Sequence, residues 1–125
     1  MKKAKIEIET HIEDEVVTEK YICKFDDSNI EYQDRQKTVT KIKYNENQMI
    51  LNRSGFVNYE LTHDGSSSVE SNFKTLVEGE PFEMVLKIEN KSYIINKYGK
   101  ILSIEIQFLR EDNNLVKQVF KVEAK

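Results

Sequence analysis

The residues best equipped for chemistry in this chain are few and scattered. His63, Asp64 and the serines Ser66, Ser67 and Ser68 put the residue types of a nucleophilic triad into one short stretch, "HDGSSS". A triad needs its nucleophile, base and orienting acid to converge from separate parts of a fold. Asp-Gly and serine runs are ordinary turn formers, so the stretch reads as a turn. His11 and His63 are the only two histidines, and zinc asks for three or four ligands at spacings that neither histidine's surroundings supply. No metal and no other cofactor is therefore expected. Cys23, the single cysteine, shares its strand parity with Tyr21 and Phe25 and reads as a buried, inert thiol. The acid runs Glu13-Asp14-Glu15 and Glu111-Asp112 fall at expected hairpin tips, and no glycine-rich phosphate loop is present. No catalytic residue is assigned, and the expectation is a protein that is not an enzyme.

Two binding chemistries are left. Arg53, one of three arginines, can clamp a ligand carboxylate if it faces a cavity. Lys37, Lys41 and Lys43, with Lys97 and Lys100, can form a basic patch on which Tyr93 and Tyr98 would stack with bases. Nucleic-acid binding rests on a concentrated positive face, and a net charge of -3 offers no overall surplus. The lysines read as a solvated face. There is no DNA signature, and a protein or RNA partner on the outer surface is kept as the alternative.

The elements that must position these residues are strands. Period-two alternation dominates, as strands with one buried face produce: Ile6 and Ile8 between charges, Tyr21, Cys23 and Phe25 between lysines, Thr38, Thr40, Ile42 and Tyr44 against Lys37, Lys41 and Lys43. Phe82, Met84, Leu86 and Ile88 make another strand, with Asn90-Lys91 as an expected turn. Leu102, Ile104, Ile106 and Phe108 face Val116, Phe120 and Val122 in the last hairpin. About nine or ten short strands joined by tight turns, in 125 residues without a linker or repeat, predict one all-β domain over residues 1–125. The strands form an antiparallel up-and-down meander. Closure into a barrel is favoured because an open meander leaves two exposed edges. The lone cysteine, the absence of a run of ~20 apolar residues and the reading of "MKKAKIEIETHIE" as a first strand set the expectation of a cytoplasmic protein with no membrane span.

Parity sharpens the hairpins, since side chains alternate faces and loop length decides which residues share a side. With Arg53-Ser54-Gly55 as a three-residue loop, Leu51 pairs with Val57 and Met49 with Tyr59, all on one face. Gly55 then takes the left-handed position and Arg53 sits at the rim. With Glu111-Asp112-Asn113 as a loop, Phe108 faces Val116 and Ile106 faces Gln118. Gln118 then points inward, as do Thr38, Thr40, Ser71 and Thr75 by the parity of their strands. A partly polar interior suits a barrel that holds water or a small ligand.

The chain also resembles the YwiB-like proteins, a bacterial family of unknown function with a calycin (lipocalin-like) barrel. The resemblance rests on "RSG" at 53–55, "FKTLVEGEPFEM" at 73–84 and the late strands "LSIEIQF" and "VKQVFKVE". That family usually has a Pro-Tyr-Gly turn where this chain has Leu76-Val77-Glu78-Gly79. The resemblance implies an up-and-down, lipocalin-like barrel of about 8–10 strands with a central cavity and no established activity. The expected function is therefore binding of a small, partly apolar ligand in the barrel interior or at its rim, by Arg53, Tyr59, Thr38, Thr40, Ser71, Thr75 and Gln118.

Overall fold

The computed structural model describes residues 1–124. Ten strands make up the chain: β1 (Lys2–Ile12), β2 (Glu15–Phe25), β3 (Asn29–Gln33), β4 (Val39–Tyr44), β5 (Met49–Ser54), β6 (Tyr59–His63), β7 (Ser68–Val77), β8 (Glu80–Tyr98), β9 (Ile101–Arg110) and β10 (Leu115–Ala124). They form one antiparallel sheet in the order β6-β5-β4-β3-β2-β1-β10-β9-β8-β7. Apart from the step from β6 to β7, every strand thus pairs with the next in sequence, as a meander requires, and β10 lies beside β1. The sheet rolls into a nearly closed barrel whose seam falls between β6 and β7. There Asn58 and Lys74 exchange two backbone hydrogen bonds of 2.9 Å, the Thr75 hydroxyl donates to the Phe56 carbonyl at 3.0 Å and the Glu60 N–H donates to Ser71 Oγ at 3.2 Å. These bonds satisfy edge groups that an open sheet would expose.

Turn chemistry explains the tight connections. Val77 pairs with Glu80, leaving Glu78 (φ 52°) and Gly79 (φ 81°) as a two-residue loop with both residues left-handed, the backbone of a type I′ hairpin. The last hairpin takes the expected form: Phe108 pairs with Val116 and Ile106 with Gln118, and Asn113 holds the left-handed corner at φ 64°.

Two expectations need correction. Asn90-Lys91 is not a turn, because β8 runs through it as one 19-residue strand with a bulge between Asn90 and Ser92. The extra residue resets the alternation, so that Ile88 and Asn90 before it and Tyr93 and Ile95 after it face the same interior. The loop after β5 is also longer than three residues. Arg53 pairs with Tyr59, Leu51 with Leu61 and Met49 with His63, so the connection covers residues 54–58. A five-residue loop has the same parity as a three-residue one. The faces are therefore those that parity predicts, the register differs, and Arg53 lies in the strand rather than in the loop.

The apolar core fills the part of the barrel lined by Ile6, Ile8, Ile30, Ile42, Met49, Ile104, Ile106, Phe120 and Val122, each almost fully buried. Near one end the β7–β8 hairpin is only half covered, and Phe82, Met84 and Val85 are each more than 40% exposed.

Candidate functional site

The site grows from one cross-strand row. Cys23 pairs with Tyr32, Tyr32 with Thr40, Thr40 with Arg53 and Arg53 with Tyr59. Directly paired residues share a face, and Cys23 and Thr40 are buried in the interior, so Arg53 and Tyr59 point inward with them. An inward guanidinium must find partners. Arg53 donates from Nη2 to Asp34 Oδ2 at 3.0 Å and from Nη1 to the Tyr59 hydroxyl at 3.4 Å, and its head lies 5.7 Å from the Tyr59 ring centre. Its Nε is buried without a partner among the described residues. Burial pulls the Arg53 pKa down, but Tyr59, Tyr32 and Asp34 more than offset this and hold it charged.

Asp34 is itself fixed by the turn that carries it. Its Oδ1 accepts the backbone N–H of Gln36 at 2.9 Å and of Thr38 at 3.1 Å, which leaves Oδ2 for Arg53. The turn thereby aims the carboxylate, and the carboxylate orients the guanidinium. Beside this pair, Tyr21 and Tyr32 stack at 5.4 Å. Burial pushes the Tyr32 phenol up to about 12, and burial together with the bond to Glu19 does the same for Tyr21. Gln118 donates to Thr10 Oγ1 at 3.1 Å on the opposite wall.

These groups line two spaces that share Arg53 and Tyr59. The inner one is a chamber of about 90 Å³ bounded by Tyr21, Tyr32, Asp34, Arg53, Tyr59 and Gln118, with Leu51 and Phe120 as its floor. That is room for a few waters. The outer one is an open-mouthed cavity of about 610 Å³ lined by Val57, Leu61, Phe73, Met84, Leu86, Ile88 and Phe108, with Arg110, Lys87, Glu111 and Asp112 at its edge. The outer space lies within the ~300–1,000 Å³ of ordinary ligand pockets and the inner one falls below it. Phe73 stacks on Tyr59 at 5.8 Å, tying the β7–β8 hairpin to the Arg53 row. Arg110 donates to Asp112 at 2.9 Å and, like Arg53, keeps a buried Nε without a partner among the described residues.

Of the residues expected to bind ligand, Arg53, Tyr59 and Gln118 are brought together. Thr38 and Thr40 are fully buried in the wall and line neither space. Ser71 and Thr75 are engaged at the seam by the bonds described above. Asp34, Tyr32, Met84 and Arg110 complete the site and were not singled out from the sequence. Pairing along the row would have found Tyr32, and the Asp34 turn carries a readable signal in an acid placed two and four residues before the amides it binds.

The other chemistry-bearing residues lie elsewhere. His63 is 2% exposed, with its ring 5.2 Å from that of Phe108. Burial drives its pKa down to about 4, against a smaller opposing effect of Asn90 and Asp64. Asp64 Oδ1 accepts the N–H groups of Ser66 and Ser67 at 3.0 and 2.8 Å, the geometry of a turn. Cys23 is buried, and burial raises its pKa to about 11. No group of three or more His, Cys, Asp or Glu side chains that can hold a metal ion occurs among the described residues. Tyr93, paired with the buried Ile106, faces inward and donates to the Asn45 carbonyl at 2.7 Å. Tyr98 is 68% exposed and lies on the outer face, so the two tyrosines do not form one platform with the lysines of β4. No helix is long and apolar enough to cross a membrane among the described residues.

Fold and site together define an up-and-down antiparallel β-barrel, nearly closed, with a half-open mouth beside an inward Arg–Asp pair. Among solved structures the chain is similar to the crystal structure of the YwiB protein from Bacillus subtilis, with a TM-score of 0.78 and 18% identity over 99% of this chain and 92% of that one. At this identity the likeness is one of fold. No family model matches the chain, and no curated protein matches it.

Proposed function

We propose that this chain is a non-enzymatic, calycin-like binding barrel that takes a small, partly apolar ligand at its mouth. The observation that carries the reading is the open cavity of about 610 Å³ walled by Leu61, Phe73, Met84, Leu86 and Phe108. Ligand sites are mainly apolar concavities with a few placed polar groups, and Arg53 and Tyr59 are such groups. The likeness to YwiB supports the barrel and carries no activity. The mouth is favoured over the deeper interior because the chamber beside Arg53 holds only about 90 Å³.

The test is titration with a neutral fluorescent apolar probe, N-phenyl-1-naphthylamine, against the wild-type chain and Met84→Trp. Met84 is 42% exposed on the cavity wall, so the larger ring can occupy the mouth without entering the core. Saturable binding by the wild type, lost in a Met84→Trp chain with unchanged circular dichroism, supports the reading. Absence of binding, or binding unaffected by the tryptophan, sinks it.

A further inference from the structure

The two guanidinium groups in the mouth have more donors than partners. Each arginine carries five N–H groups. Arg53 places two of them, on Asp34 and Tyr59, and Arg110 places one on Asp112. On each head the Nε is buried without a partner among the described residues, such an orphaned donor is costly, and an acceptor brought by a ligand removes that cost. The acids nearby do not fill the role. Asp112 is engaged in its own turn, accepting from the Asn114 N–H at 3.2 Å and from its side-chain amide at 3.0 Å, and this holds its carboxyl below the usual range. Glu111 lies 3.9 Å from Lys87.

The charge balance limits the ligand further. Arg53, Arg110 and Lys87 stand against Glu111 and Asp112 in the cavity, one positive charge in excess. With Asp34 behind Arg53 and Glu70 3.6 Å from Lys87 that excess is gone. A set with no positive charge to spare takes a singly charged head at lower cost than a doubly charged phosphate in a part-buried site. The wall beyond the arginines is apolar over Phe73, Met84, Leu86 and Phe108.

We propose that the mouth binds a small amphipathic monocarboxylate, its head taken by Arg53 and Arg110 and its apolar body lying on Phe73, Met84, Leu86 and Phe108. This rests on the reading of the barrel as a small-molecule binder and names the chemistry of that ligand. A bidentate, charge-assisted contact separates a carboxylate from an alcohol of the same length.

The experiment is calorimetric titration of the full chain with decanoate, decanol and decyl phosphate, repeated on Arg110→Gln and Arg53→Gln. Decanoate is expected to bind at least about tenfold more tightly than either other probe, and Arg110→Gln to weaken decanoate about tenfold while leaving decanol unchanged. Arg53→Gln also strips Asp34 of its partner, so Arg110→Gln carries the test if the Arg53 variant does not fold. Equal affinity for decanoate and decanol, insensitive to Arg110→Gln, overturns the carboxylate assignment and leaves the binding barrel standing. Tighter binding of decyl phosphate overturns the single-charge argument. Failure of all three probes, together with failure of the naphthylamine titration, removes both readings.

Discussion

Gly55→Ala tests the geometry that brings Arg53 into the barrel. Gly55 lies in the 54–58 connection after β5 with φ 137°, a region closed to side chains, and a methyl group built on it would lie 3.0 Å from Thr38 Cα and 3.1 Å from the Lys37 carbonyl oxygen. Both neighbours are backbone, so neither can rotate away. Holding a non-glycine residue in such a conformation costs about 1–3 kcal/mol, and displacing packed backbone to relieve the overlap adds about 1–3 kcal/mol. The lower entropy of unfolded alanine returns only about 0.4–1 kcal/mol. The net loss is about 3 kcal/mol, which for a chain of this size lowers the melting temperature by about 12 °C. Thermal unfolding followed by circular dichroism measures it. Gly65→Ala is the internal control: a methyl there meets nothing within 4 Å and no positive φ is required, so its melting temperature should hold or rise slightly. A Gly55→Ala chain that melts within 2 °C of the wild type would refute the close approach to Thr38, and with it the packing of the 54–58 loop against the turn that carries Asp34.

Three further outcomes are expected. His63 has its pKa lowered by burial to about 4 from an ordinary value of 6.5. The unfolded chain therefore binds the proton first, and stability present above pH 6.5 is lost as pH falls towards 4. Denaturant melts at pH 7 and pH 5 should show the wild type losing about 2 kcal/mol more than His63→Met; equal losses would exclude His63 as the cause. A double-mutant cycle on Arg53→Met and Asp34→Asn should give a coupling of about 1–3 kcal/mol, because the pair is oriented by a turn and only 28% and 12% exposed; a coupling near zero would mean that the turn alone fixes Asp34. Glu78→Asn should raise stability by about 0.5 kcal/mol, since asparagine tolerates φ 52° in a type I′ loop better than glutamate; a lower urea midpoint would contradict that assignment.

Much of the architecture is legible in the alternation, and the seam is not. Ile6, Ile8, Leu102, Ile104, Ile106, Phe120 and Val122 repeat at period two and occupy the core as that period requires. Asn58 gives no comparable sign, yet its backbone closes the barrel on Lys74 while its side chain accepts the Gly55 N–H at 3.1 Å and donates to the Gly55 carbonyl at 2.9 Å. The bonds to Gly55 are local to the loop, whereas the closure depends on a strand distant in sequence. The same holds at Asn90, whose side-chain amide donates to the Thr62 carbonyl at 2.9 Å. A polar residue that looks like a turn serves there to tie a bulged strand to the far edge of the sheet.

The site shows why parity alone could not assemble it. Counting alternation fixes a loop only modulo two residues, so a loop of three and a loop of five are equivalent for every apolar side chain on β5 and β6. They differ for Arg53, which is a rim residue in one and an interior residue in the other. What decides between them is the inward guanidinium's need for acceptors, and these come from the Asp34 turn and from Tyr59 across the sheet. A three-residue loop pairs Met49 with Tyr59, whereas the observed register pairs Arg53 with Tyr59 and Met49 with His63. Satisfying the polar groups together with the apolar ones selects the longer loop. The row Tyr32, Thr40, Arg53 and Tyr59 then follows as a consequence of one buried charge.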